Sequence, residues 1–342
     1  MKVILDAMGG DNAPREIVLG ALDALKDGDV DVVLVGRGEE ILKVLAEEGL
    51  SELPAHLEIS DASEVVEMED DPSTVLRRKK DSSMAKGLAM LNEGYGGAFL
   101  SAGSTGALLS GATLISKRIR GIRRGALMSV MPTVSGGKWV LMDCGANLEC
   151  TPEYLLQFAY MGSYYAELIL GCPSPRVGLL NIGAERTKGT DLQKETYALL
   201  ETAAAEGRLN FAGNIEARDV MNGAADVIVC DGYSGNILLK GLEGMGLAML
   251  GLIKNLFLSS TKNKIAALMV KKDVSGIKAL FDYNSIGGAP FLGISKPVYK
   301  IHGSAKRQSV AAAIHEAVRY AESGLIERIT ENVEYMKAPE SK

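Results

Sequence analysis

The sequence is poor in the residues that build disulfide frameworks and metal centres. Its 342 residues include four cysteines without C-x-x-C spacing and only three histidines, His56, His302 and His315. The histidines are not spaced as metal ligands. Scattered cysteines in or beside apolar stretches are typical of reduced, buried thiols in a cytoplasmic protein. We therefore expect free thiols, no bound metal and no cofactor.

The sequence also lacks an excess of basic residues and a targeting segment. Its formal net charge is −6, whereas nucleic-acid-binding proteins usually carry a basic surface, so we expect no nucleic-acid partner. Met1 and Lys2 lead directly into strand-like residues 3–5, so we expect no signal peptide. The longest uncharged stretch, residues 94–116, is rich in glycine, serine and threonine. It predicts a strand, a turn and a helix start rather than a transmembrane helix.

Three catalytic or cofactor-binding motifs are missing. There is no G-x-x-x-x-G-K-[ST] P-loop, and there is no G-x-S-x-G nucleophile elbow. The sequence Gly36-Arg37-Gly38 lacks the third glycine of a dinucleotide-binding fingerprint. These absences disfavour a P-loop enzyme and a serine hydrolase, and they remove the main sequence support for a dehydrogenase.

What the sequence does contain is an alternation of short apolar strands and amphipathic helices. This pattern predicts an α/β fold with a mostly parallel sheet and helices on both faces. The predicted strands are residues 3–5, 30–35, 98–100, 125–130, 139–142, 176–181 and 226–230. The predicted helices are residues 13–26, 39–48, 152–170, 191–205, 237–257 and 309–323. A capping box at residues 190–193 marks one helix start.

The sequence shows neither a linker nor a sharp change in composition. We therefore predict one α/β unit over residues 1–330 and a polar tail over residues 331–342. Residues 241–282 differ, because they predict a helical hairpin with an apolar face around a polar turn at residues 259–263. That face packs on the protein's own core or on a second subunit, or else its tip contacts a membrane surface or a partner. Nearby lysines favour the membrane alternative, namely Lys254, Lys262, Lys264, Lys271 and Lys272.

Five predicted strands end in turns rich in glycine, aspartate, asparagine and serine. The turns are residues 6–11, 101–106, 143–147, 181–190 and 231–236. In open α/β sheets, ligands bind beyond the carboxyl ends of the strands. These turns therefore predict a ligand site.

Four of these turns have both a chemical and a structural interpretation. Asp6 or Asp11 accepts hydrogen bonds from a ligand or caps a helix. The glycine–hydroxyl turn at residues 101–106 forms a cradle for an oxyanion or phosphate, or only a helix cap. Lys188, just before the capped helix start, binds a dianion such as phosphate or is a solvated surface lysine. Asn236 donates to an oxyanion or caps the next helix.

An ordered set of motifs resembles a known family. The motifs are residues 6–11, 77–84, 101–108, 143–147, 175–181, 213–219 and 231–236. Taken together, they resemble the bacterial phosphate acyltransferases that start glycerophospholipid synthesis from acyl-acyl carrier protein. The resemblance extends from residue 1 to about residue 325. Two positions depart from the common pattern, Ser104 where asparagine is frequent and Ala305 where serine is frequent.

The resemblance implies a fold like that of the isocitrate and isopropylmalate dehydrogenases and the phosphotransacetylases. It implies a homodimer that converts acyl-acyl carrier protein and inorganic phosphate into acyl phosphate and free carrier protein. A membrane-bound glycerol-phosphate acyltransferase would use that product to acylate glycerol 3-phosphate. The family attaches peripherally to the inner face of the cell membrane, which favours a membrane contact at the hairpin tip.

The resemblance also assigns roles to individual residues. The family's catalytic lysine and asparagine correspond to Lys188 and Asn236. Lys188 would bind the phosphate and protonate the departing thiolate, and Asn236 would bind the thioester oxygen together with glycine-loop N–H groups. His302 is a second candidate acid. The expected substrate-binding residues are Asp6, Gly9, Gly10, Asp11, Ser101, Gly103, Ser104, Thr105, Gly106, Asn147, Asn181, Gly183, Asp231, Gly235 and His302.

Acyl carrier protein is acidic, so its docking site should be basic. Two basic segments are candidates for this docking site, and the alternative is that their charges are scattered and solvated. The first segment comprises Arg77, Arg78, Lys79 and Lys80, and the second comprises Lys117, Arg118, Arg120, Arg123 and Arg124. Competing functions are a phosphotransacetylase that uses acyl-coenzyme A and a non-catalytic scaffold that recruits the carrier protein. A dehydrogenase is a weaker alternative.

Overall fold

The computed structural model describes residues 1–270 and 287–338, and they contain one mixed sheet of eleven strands. The first half of the chain alternates strands and helices. Its elements are β1 Lys2–Asp6, α1 Arg15–Leu25, β2 Asp31–Gly36, α2 Gly38–Glu47, β3 Leu57–Asp61, α3 Val75–Arg78, α4 Ser83–Asn92, β4 Ala98–Ser101 and α5 Thr105–Gly111. A π-helical segment, Ala112–Ser116, extends α5.

The second half of the chain adds the remaining strands and the longest helix. Its elements are β5 Ala126–Pro132, β6 Lys138–Met142, α6 Pro152–Leu168, β7 Arg176–Asn181, α7 Asp191–Ala205, β8 Asn210–Glu216, β9 Val227–Val229, α8 Gly232–Leu258, α9 Thr261–Met269, β10 Ala289–Leu292, β11 Val298–Lys300, α10 Arg307–Glu322 and α11 Leu325–Glu331. Two 3₁₀ segments, Ala217–Asn222 and Val333–Met336, complete the described part.

The sheet consists of two parallel groups joined by antiparallel strands. The strand order is β3-β2-β1-β4-β11-β10-β5-β6-β9-β7-β8. The five strands from β3 to β11 are mutually parallel, and so are the four from β6 to β8. Strands β10 and β5 pair antiparallel between the groups. Most strands are therefore parallel, and the two groups run in opposite directions.

Hydrophobic strands explain why the centre of the sheet is covered on both faces. Strands β1 and β2 read KVILD and DVVLVG, and their apolar residues are buried. Continuous apolar strands are typical of a sheet with helices on both sides. One edge of this core is fixed by an ion pair, in which Arg307 of α10 contacts Asp23 of α1 at 2.5 Å. The hydrogen bonds from Arg307 lower the pKa of Asp23 to about 2.

The predicted fold class is confirmed, and all seven predicted strands and six predicted helices occur in the structure. Four strands are additional, namely β3, β8, β10 and β11. Strand β8, Asn210–Glu216, mixes polar residues with glycine, so its sequence lacks the apolar run of a buried strand. Strand β11, Val298–Lys300, is only three residues long. The predicted capping box at the start of α7 is present.

The predicted helical hairpin is present in its described part. Helix α8 begins at Gly232, five residues before the predicted start, and α9 follows a short turn. The predicted end at residue 282 lies outside the described residues. Beyond Gly246 no residue of either helix is buried. Within residues 1–270 and 287–338, the core therefore does not cover this part of the hairpin.

Helix α8 also bears on the expectation of no transmembrane helix. Of the described helices it is the one long and apolar enough to cross a membrane, judged by length and composition. Its first turns, however, pack against the folded domain, where Leu238, Leu239 and Leu242 contact buried residues of the core. One face of that end of α8 is therefore packed against the protein.

Candidate active site

One cavity of about 490 Å³ collects loops from both groups of strands. Its walls come from the loops after β1, β4, β6 and β11, one face of β5, and the first turns of α8. The lining residues are Asp11, Met68, Ala102, Gly103, Thr105, Leu127, Ser129, Met131, Cys144, Gly145, Asn236, Leu239, Lys240, Glu243, Gly287, Gly288, Ala289, Lys300, His302 and Gly303. Of the residues predicted to bind substrate or to be catalytic, Asp11, Gly103, Thr105, Asn236 and His302 lie in this wall.

The loops after β1 and β4 are tied together beneath the cavity. The Ser101 hydroxyl donates to Asp6 Oδ2 at 2.6 Å and accepts from the Gly103 N–H at 3.0 Å. Gly9 fits against this pair, because a Cβ there would lie 2.7 Å from the Gly103 nitrogen. Burial raises the pKa of Asp6. Asp6, Gly9 and Ser101 therefore hold the glycine turn in place from below and do not line the cavity.

Other predicted residues of these turns have structural contacts. The Ser104 hydroxyl caps α5 by accepting from the Ala107 N–H at 3.4 Å. Gly106 faces Pro72, outside the cavity wall. Gly10 lies between Ala102 and Gly303. Next to it, the N–H of the cavity residue Asp11 donates to the Gly303 carbonyl at 2.8 Å, so the loops after β1 and β11 are joined.

The loop after β6 is organised around the buried carboxylate of Asp143. It accepts hydrogen bonds from the backbone N–H groups of Leu127, Gly145, Ala146 and Asn147, and from the Asn147 side chain. Burial raises the pKa of Asp143, while these donors lower it. The predicted substrate-binding residue Asn147 is thus a positioning residue whose side chain also donates to the Gly125 carbonyl at 2.8 Å.

Close contact between this loop and α8 places Asn236 in the cavity wall. Asp231 caps α8 by accepting from the Ser234 N–H at 2.8 Å. Position 235 has no room for a side chain, because a Cβ on Gly235 would lie 1.9 Å from the Asp143 carbonyl oxygen. Asn236 follows immediately, with its Cβ 3.4 Å from the position of a Cβ built on Gly145. Asp231 and Gly235 therefore position the asparagine rather than line the cavity.

One face of α8 continues along the cavity. Asn236, Leu239, Lys240 and Glu243 are spaced as neighbours on one side of a helix, and all four line the cavity. Lys240 Nζ lies 2.7 Å from Glu243 Oε2, so the Lys240 ammonium forms an ion pair with the Glu243 carboxylate. The predicted start of this helix is residue 237, and the predicted site residues do not include Lys240 and Glu243. Their i, i+4 and i, i+7 spacing from Asn236 is the signal that identifies them once the helix start is known.

The end of β11 brings a partly buried lysine and a histidine into the cavity. Lys300 and His302 line the wall, whereas Ile301 between them is buried in the core. Burial lowers the pKa of Lys300 to about 8, Asp6 and Asp11 act in the opposite direction, and Lys240 lowers it further. Sequence reasoning missed Lys300. Its signal is a charged residue within the apolar run at residues 297–301.

The contacts of the His302 ring favour its neutral form, with the proton on one particular nitrogen. Burial, followed by the charge of Lys240, lowers its pKa. The Ser304 backbone N–H donates to His302 Nδ1 at 3.2 Å, and the Ser304 hydroxyl lies 2.9 Å from the same nitrogen. Because Nδ1 accepts from a backbone N–H, the proton of the neutral ring is on Nε2.

Lys188 does not line this cavity. It is exposed in the loop after β7, and β7 neighbours β9, which leads into α8. Asn181 shapes the loop, since its side chain accepts from the Ile182 N–H at 2.8 Å and donates to the Lys188 carbonyl at 3.2 Å. Gly183 is buried beneath the Lys188 side chain. The Lys188 loop follows β7, and the neighbouring strand β9 leads into the first turn of α8, which carries Asn236.

The predicted carrier-docking residues form two separate exposed groups. Residues 77–80 lie at α3, where Lys79 Nζ is paired with Asp70 at 2.6 Å, and Arg77, Arg78 and Lys80 are exposed. The other group is the exposed basic residues of the 117–124 loop, namely Lys117, Arg118, Arg120, Arg123 and Arg124. Arg118 and Arg124 line a hollow of about 340 Å³ together with Asn147. This basic loop therefore lies beside the loop that supports the cavity.

Cysteine chemistry contributes little to the site. Cys144 and Cys230 are buried, and burial raises the pKa of both thiols. Cys150 and Cys172 are partly buried, and all four are free thiols. Within residues 1–270 and 287–338, no group of three or more histidine, cysteine, aspartate or glutamate side chains is arranged to hold a metal ion.

The fold is similar to that of several solved structures. Solved structures with the same fold include a phosphotransacetylase from Streptococcus pyogenes, with a TM-score of 0.61, 18% identity and 94% of each chain covered. A branched-chain phosphotransacylase from Enterococcus faecalis V583 matches with a TM-score of 0.57 and 16% identity, covering 93% of this chain and 99% of the other. A putative 4-hydroxythreonine-4-phosphate dehydrogenase from Salmonella typhimurium matches with a TM-score of 0.54 and 14% identity. The expected phosphotransacetylase-like and dehydrogenase-like fold is confirmed.

Sequence comparison then gives the family. The sequence profile of a family described as "Fatty acid synthesis protein" matches residues 1–328. A phosphate acyltransferase from Clostridioides difficile (strain 630) is 42% identical over 331 residues, which cover 97% of this chain and 96% of the relative. One from Desulfitobacterium hafniense (strain DSM 10664 / DCB-2) is 46% identical over 330 residues, covering 96% of each. The chain belongs to the phosphate acyltransferase family, and these relatives indicate that it is an acyltransferase.

Proposed function

We propose that the protein transfers a fatty acyl group from acyl-acyl carrier protein to inorganic phosphate. The observation that carries this proposal is the composition of the cavity. It combines the amide of Asn236 and a glycine turn with apolar side chains such as Leu127, Met131 and Leu239. A thioester needs this combination, because its carbonyl oxygen requires hydrogen-bond donors and its chain requires an apolar surface.

The reaction needs positioning more than it needs a base. Inorganic phosphate at neutral pH is already an anionic nucleophile. Its oxygen attacks the thioester carbonyl carbon, the carbonyl becomes an oxyanion, and collapse of this intermediate breaks the C–S bond. Asn236 and the N–H groups of the glycine turn donate to the oxyanion as its charge develops. The products are an acyl phosphate and the free thiol of the carrier.

Lys188 supplies the positive charge that binds phosphate in this proposal. Its exposed side chain lies on the loop after β7, which neighbours β9, the strand that leads into α8 and Asn236. The long, flexible side chain of lysine allows its ammonium to reach over a neighbouring loop. A phosphate held there would approach the thioester from the mouth of the cavity.

Carrier protein would dock on the exposed basic residues of the 117–124 loop and of the segment at residues 77–80. The 117–124 loop is favoured, because Arg118 and Arg124 line a hollow together with Asn147, and Asn147 belongs to the loop after β6 that forms part of the cavity wall. Each segment has one residue that is already paired, Lys79 with Asp70 and Arg123 with Glu153. A basic surface beside the cavity suits an acidic carrier that delivers its acyl chain into it.

The hairpin of α8 and α9 would provide a transient contact with the inner face of the cell membrane. Its exposed apolar side chains include Met245, Leu247, Met249, Leu252, Leu256, Leu258, Ile265, Leu268 and Met269. Lys254, Lys262 and Lys264 lie among them, which suits an anionic lipid surface. A cytoplasmic homodimer attached in this way would release acyl phosphate next to a membrane-bound glycerol-phosphate acyltransferase.

The test is mass-spectrometric detection of acyl phosphate from purified protein, palmitoyl-acyl carrier protein and phosphate. We expect product that depends on phosphate and that disappears with Lys188→Ala. Lys194→Ala is the matched control, because Lys194 is exposed on the helix that follows the same loop. It should leave the rate unchanged.

The alternatives give different results in the same assay. Product from palmitoyl-coenzyme A but not from the carrier thioester would indicate a phosphotransacetylase. Binding of carrier protein without turnover of either donor would indicate a scaffold.

A further inference from the structure

The partly buried Lys300 ammonium is a charge in the cavity that the proposed function does not use. Lys300 is the last residue of β11, and its side chain lines the cavity two residues before His302. Its Nζ donates to the carbonyl oxygen of Ala102 at 3.0 Å and to that of Ile301. An ammonium has three N–H donors. One donor is therefore left for a ligand in the cavity, since no further acceptor bonds it among the described residues.

The charges around Lys300 favour a group that gains negative charge during the reaction. Asp6 and Asp11 face it from the loop after β1, Lys240 faces it from α8, and His302 follows on its own strand. Lys240 is itself paired with Glu243. Lys300 is thus the cavity ammonium without a directly bonded carboxylate among the described side chains. Placing a charged amine in a cavity has a desolvation cost, which binding of an anion would offset.

We propose that Lys300 is a further catalytic residue, which stabilises the departing thiolate and donates a proton to its sulfur. This inference rests on the proposed function. Three negative charges need partners in that reaction, those on the phosphate, the oxyanion and the sulfur. The proposed function uses Lys188 for the phosphate and Asn236 for the oxyanion. The resemblance also gives Lys188 the protonation of the thiolate, but Lys188 is exposed outside the cavity wall, whereas Lys300 lines the cavity. We therefore assign the third charge to Lys300.

The proton balance closes without a further reactant. Attack by HPO₄²⁻ forms the C–O bond, and collapse of the tetrahedral intermediate breaks the C–S bond and leaves the electron pair on sulfur. The sulfur takes a proton from the Lys300 ammonium. The acyl phosphate then loses its remaining phosphoryl proton through solvent, and the Lys300 amine regains one. The net reaction converts thioester and HPO₄²⁻ into a dianionic acyl phosphate and a thiol.

The acidity of Lys300 suits this transfer. Its pKa of about 8 is close to that of a cysteine thiol, about 8.5, and proton transfer is most effective when the acid's pKa lies near the working pH. Because the ammonium is the active form and this pKa is that of the free protein, kcat/KM should be high below it and fall as the pH rises through about 8.

The experiment compares Lys300→Met, Lys300→Arg and wild type. Arginine keeps the charge but does not release a proton near neutral pH. With palmitoyl-acyl carrier protein, we expect kcat to fall by about 10²-fold or more in both variants, since general acids contribute about 10²–10⁴-fold. The KM for phosphate should change little, and the alkaline fall in kcat/KM should disappear. Lys306→Met, at an exposed lysine after the same strand, is the control and should behave as wild type.

A second donor separates proton donation from a structural role. In the palmitoyl thioester of 4-nitrothiophenol, the leaving thiol is acidic and needs no proton from the enzyme. The defect of Lys300→Met should shrink to less than about tenfold with it. An equal defect with both donors would overturn the proposal, because Lys300 would then only hold the Ala102 and Ile301 carbonyls. Full activity in Lys300→Arg, or a rise confined to the KM for phosphate, would also overturn it.

Failure of the proposed function would look different. Wild type would then form no acyl phosphate from the carrier thioester and phosphate. If wild type forms it and Lys300→Met does so equally well, only the role of Lys300 is refuted.

Discussion

At the scale of single residues, the chemistry depends on a few side chains that backbone contacts place. Asn236 is the clearest example, because its amide lies in the cavity wall through the packing of α8 on the Asp143 loop. Its residue type suggests an oxyanion donor, but only the three-dimensional contact distinguishes that role from helix capping. Asp231 performs the capping instead.

Asn236→Ala should slow catalysis without weakening substrate binding. An oxyanion donor acts mainly in the transition state, and its loss typically lowers kcat by about 10²–10³-fold. Steady-state kinetics should therefore show a lower kcat with a nearly unchanged KM for acyl-acyl carrier protein. Wild-type turnover in this variant would remove the assigned role.

Gly235→Ala should also reduce activity, for a steric reason. The new methyl group would lie 1.9 Å from the Asp143 carbonyl oxygen, so α8 must shift and carry Asn236 away from its position. We expect kcat to fall by about 10²-fold, because small misplacements of catalytic groups have effects of this size.

Gly241→Ala is the matched control in the same helix. A Cβ at Gly241 meets nothing within 4 Å, and alanine is the better helix former by roughly 0.5–1 kcal/mol. This variant should keep its activity and unfold at slightly higher denaturant concentration. Equal kinetic defects in both variants would refute the steric explanation.

Lys188 and Lys300 show the limits of residue-level inference. The capping box beside Lys188 is visible in the sequence, and the structure contains it. The exposure of Lys188 outside the cavity is not visible, because it depends on the position of β7 in the sheet. Lys300 is hidden for the opposite reason. Its strand is too short to be recognised, so its burial beside Asp6 and Asp11 follows only from tertiary structure.

At the scale of elements, recognition from sequence follows the strength of the hydrophobic pattern. Strands such as β2, with four consecutive apolar residues, and helix α7, with a capping box, are predicted with nearly correct bounds. Strands β10 and β11 pair with β5 and β4, which are far away in the chain. No local pattern marks such pairing, and these strands place His302 and Lys300.

The hairpin of α8 and α9 gives a prediction at this scale. Leu252 and Leu256 are 69% and 61% exposed, so replacing both with glutamate removes apolar surface and adds charges that anionic lipid repels. Co-sedimentation with phosphatidylglycerol vesicles should fall at least severalfold. The kcat with soluble palmitoyl-acyl carrier protein should not change, because neither leucine lines the cavity.

Leu42→Glu controls for the general effect of a charge at an exposed leucine, since Leu42 on α2 is 51% exposed. It should bind vesicles as wild type does. If the double variant binds vesicles normally but sediments with a lower mass, the hairpin face contacts a second subunit instead of the membrane.

At the scale of the whole molecule, the cavity exists because one sheet joins two parallel groups of strands. Loops from both groups line it, with β5 between them. The sequence could reveal the glycine- and asparagine-rich turns, because each follows an apolar strand. It could not reveal which of them meet, since that depends on the order of strands and on the antiparallel pairs β10–β5 and β5–β6.

The charge distribution of the whole molecule leads to a prediction about the donor. The chain has a net charge of −6, so an acidic carrier is repelled overall and must be attracted by a local basic surface. Arg118→Glu combined with Arg124→Glu should therefore raise the KM for acyl-acyl carrier protein at least tenfold. The KM for wild type should rise steeply with salt, because ions screen exposed charges.

Acyl-coenzyme A and a second charge reversal show whether this effect is specific to docking. The double variant should use palmitoyl-coenzyme A, if wild type does so, with an unchanged kcat, because neither arginine lines the cavity. Lys26→Glu combined with Lys43→Glu makes the same change in net charge at two exposed lysines, one just after α1 and one on α2, by the β2 and β3 edge of the sheet. If this control variant raised the KM for the carrier as much as the Arg118→Glu and Arg124→Glu variant does, net charge alone would explain the effect. A KM that does not respond to salt in wild type would indicate that docking depends on apolar contacts, and the exposed hairpin would then become the surface to test.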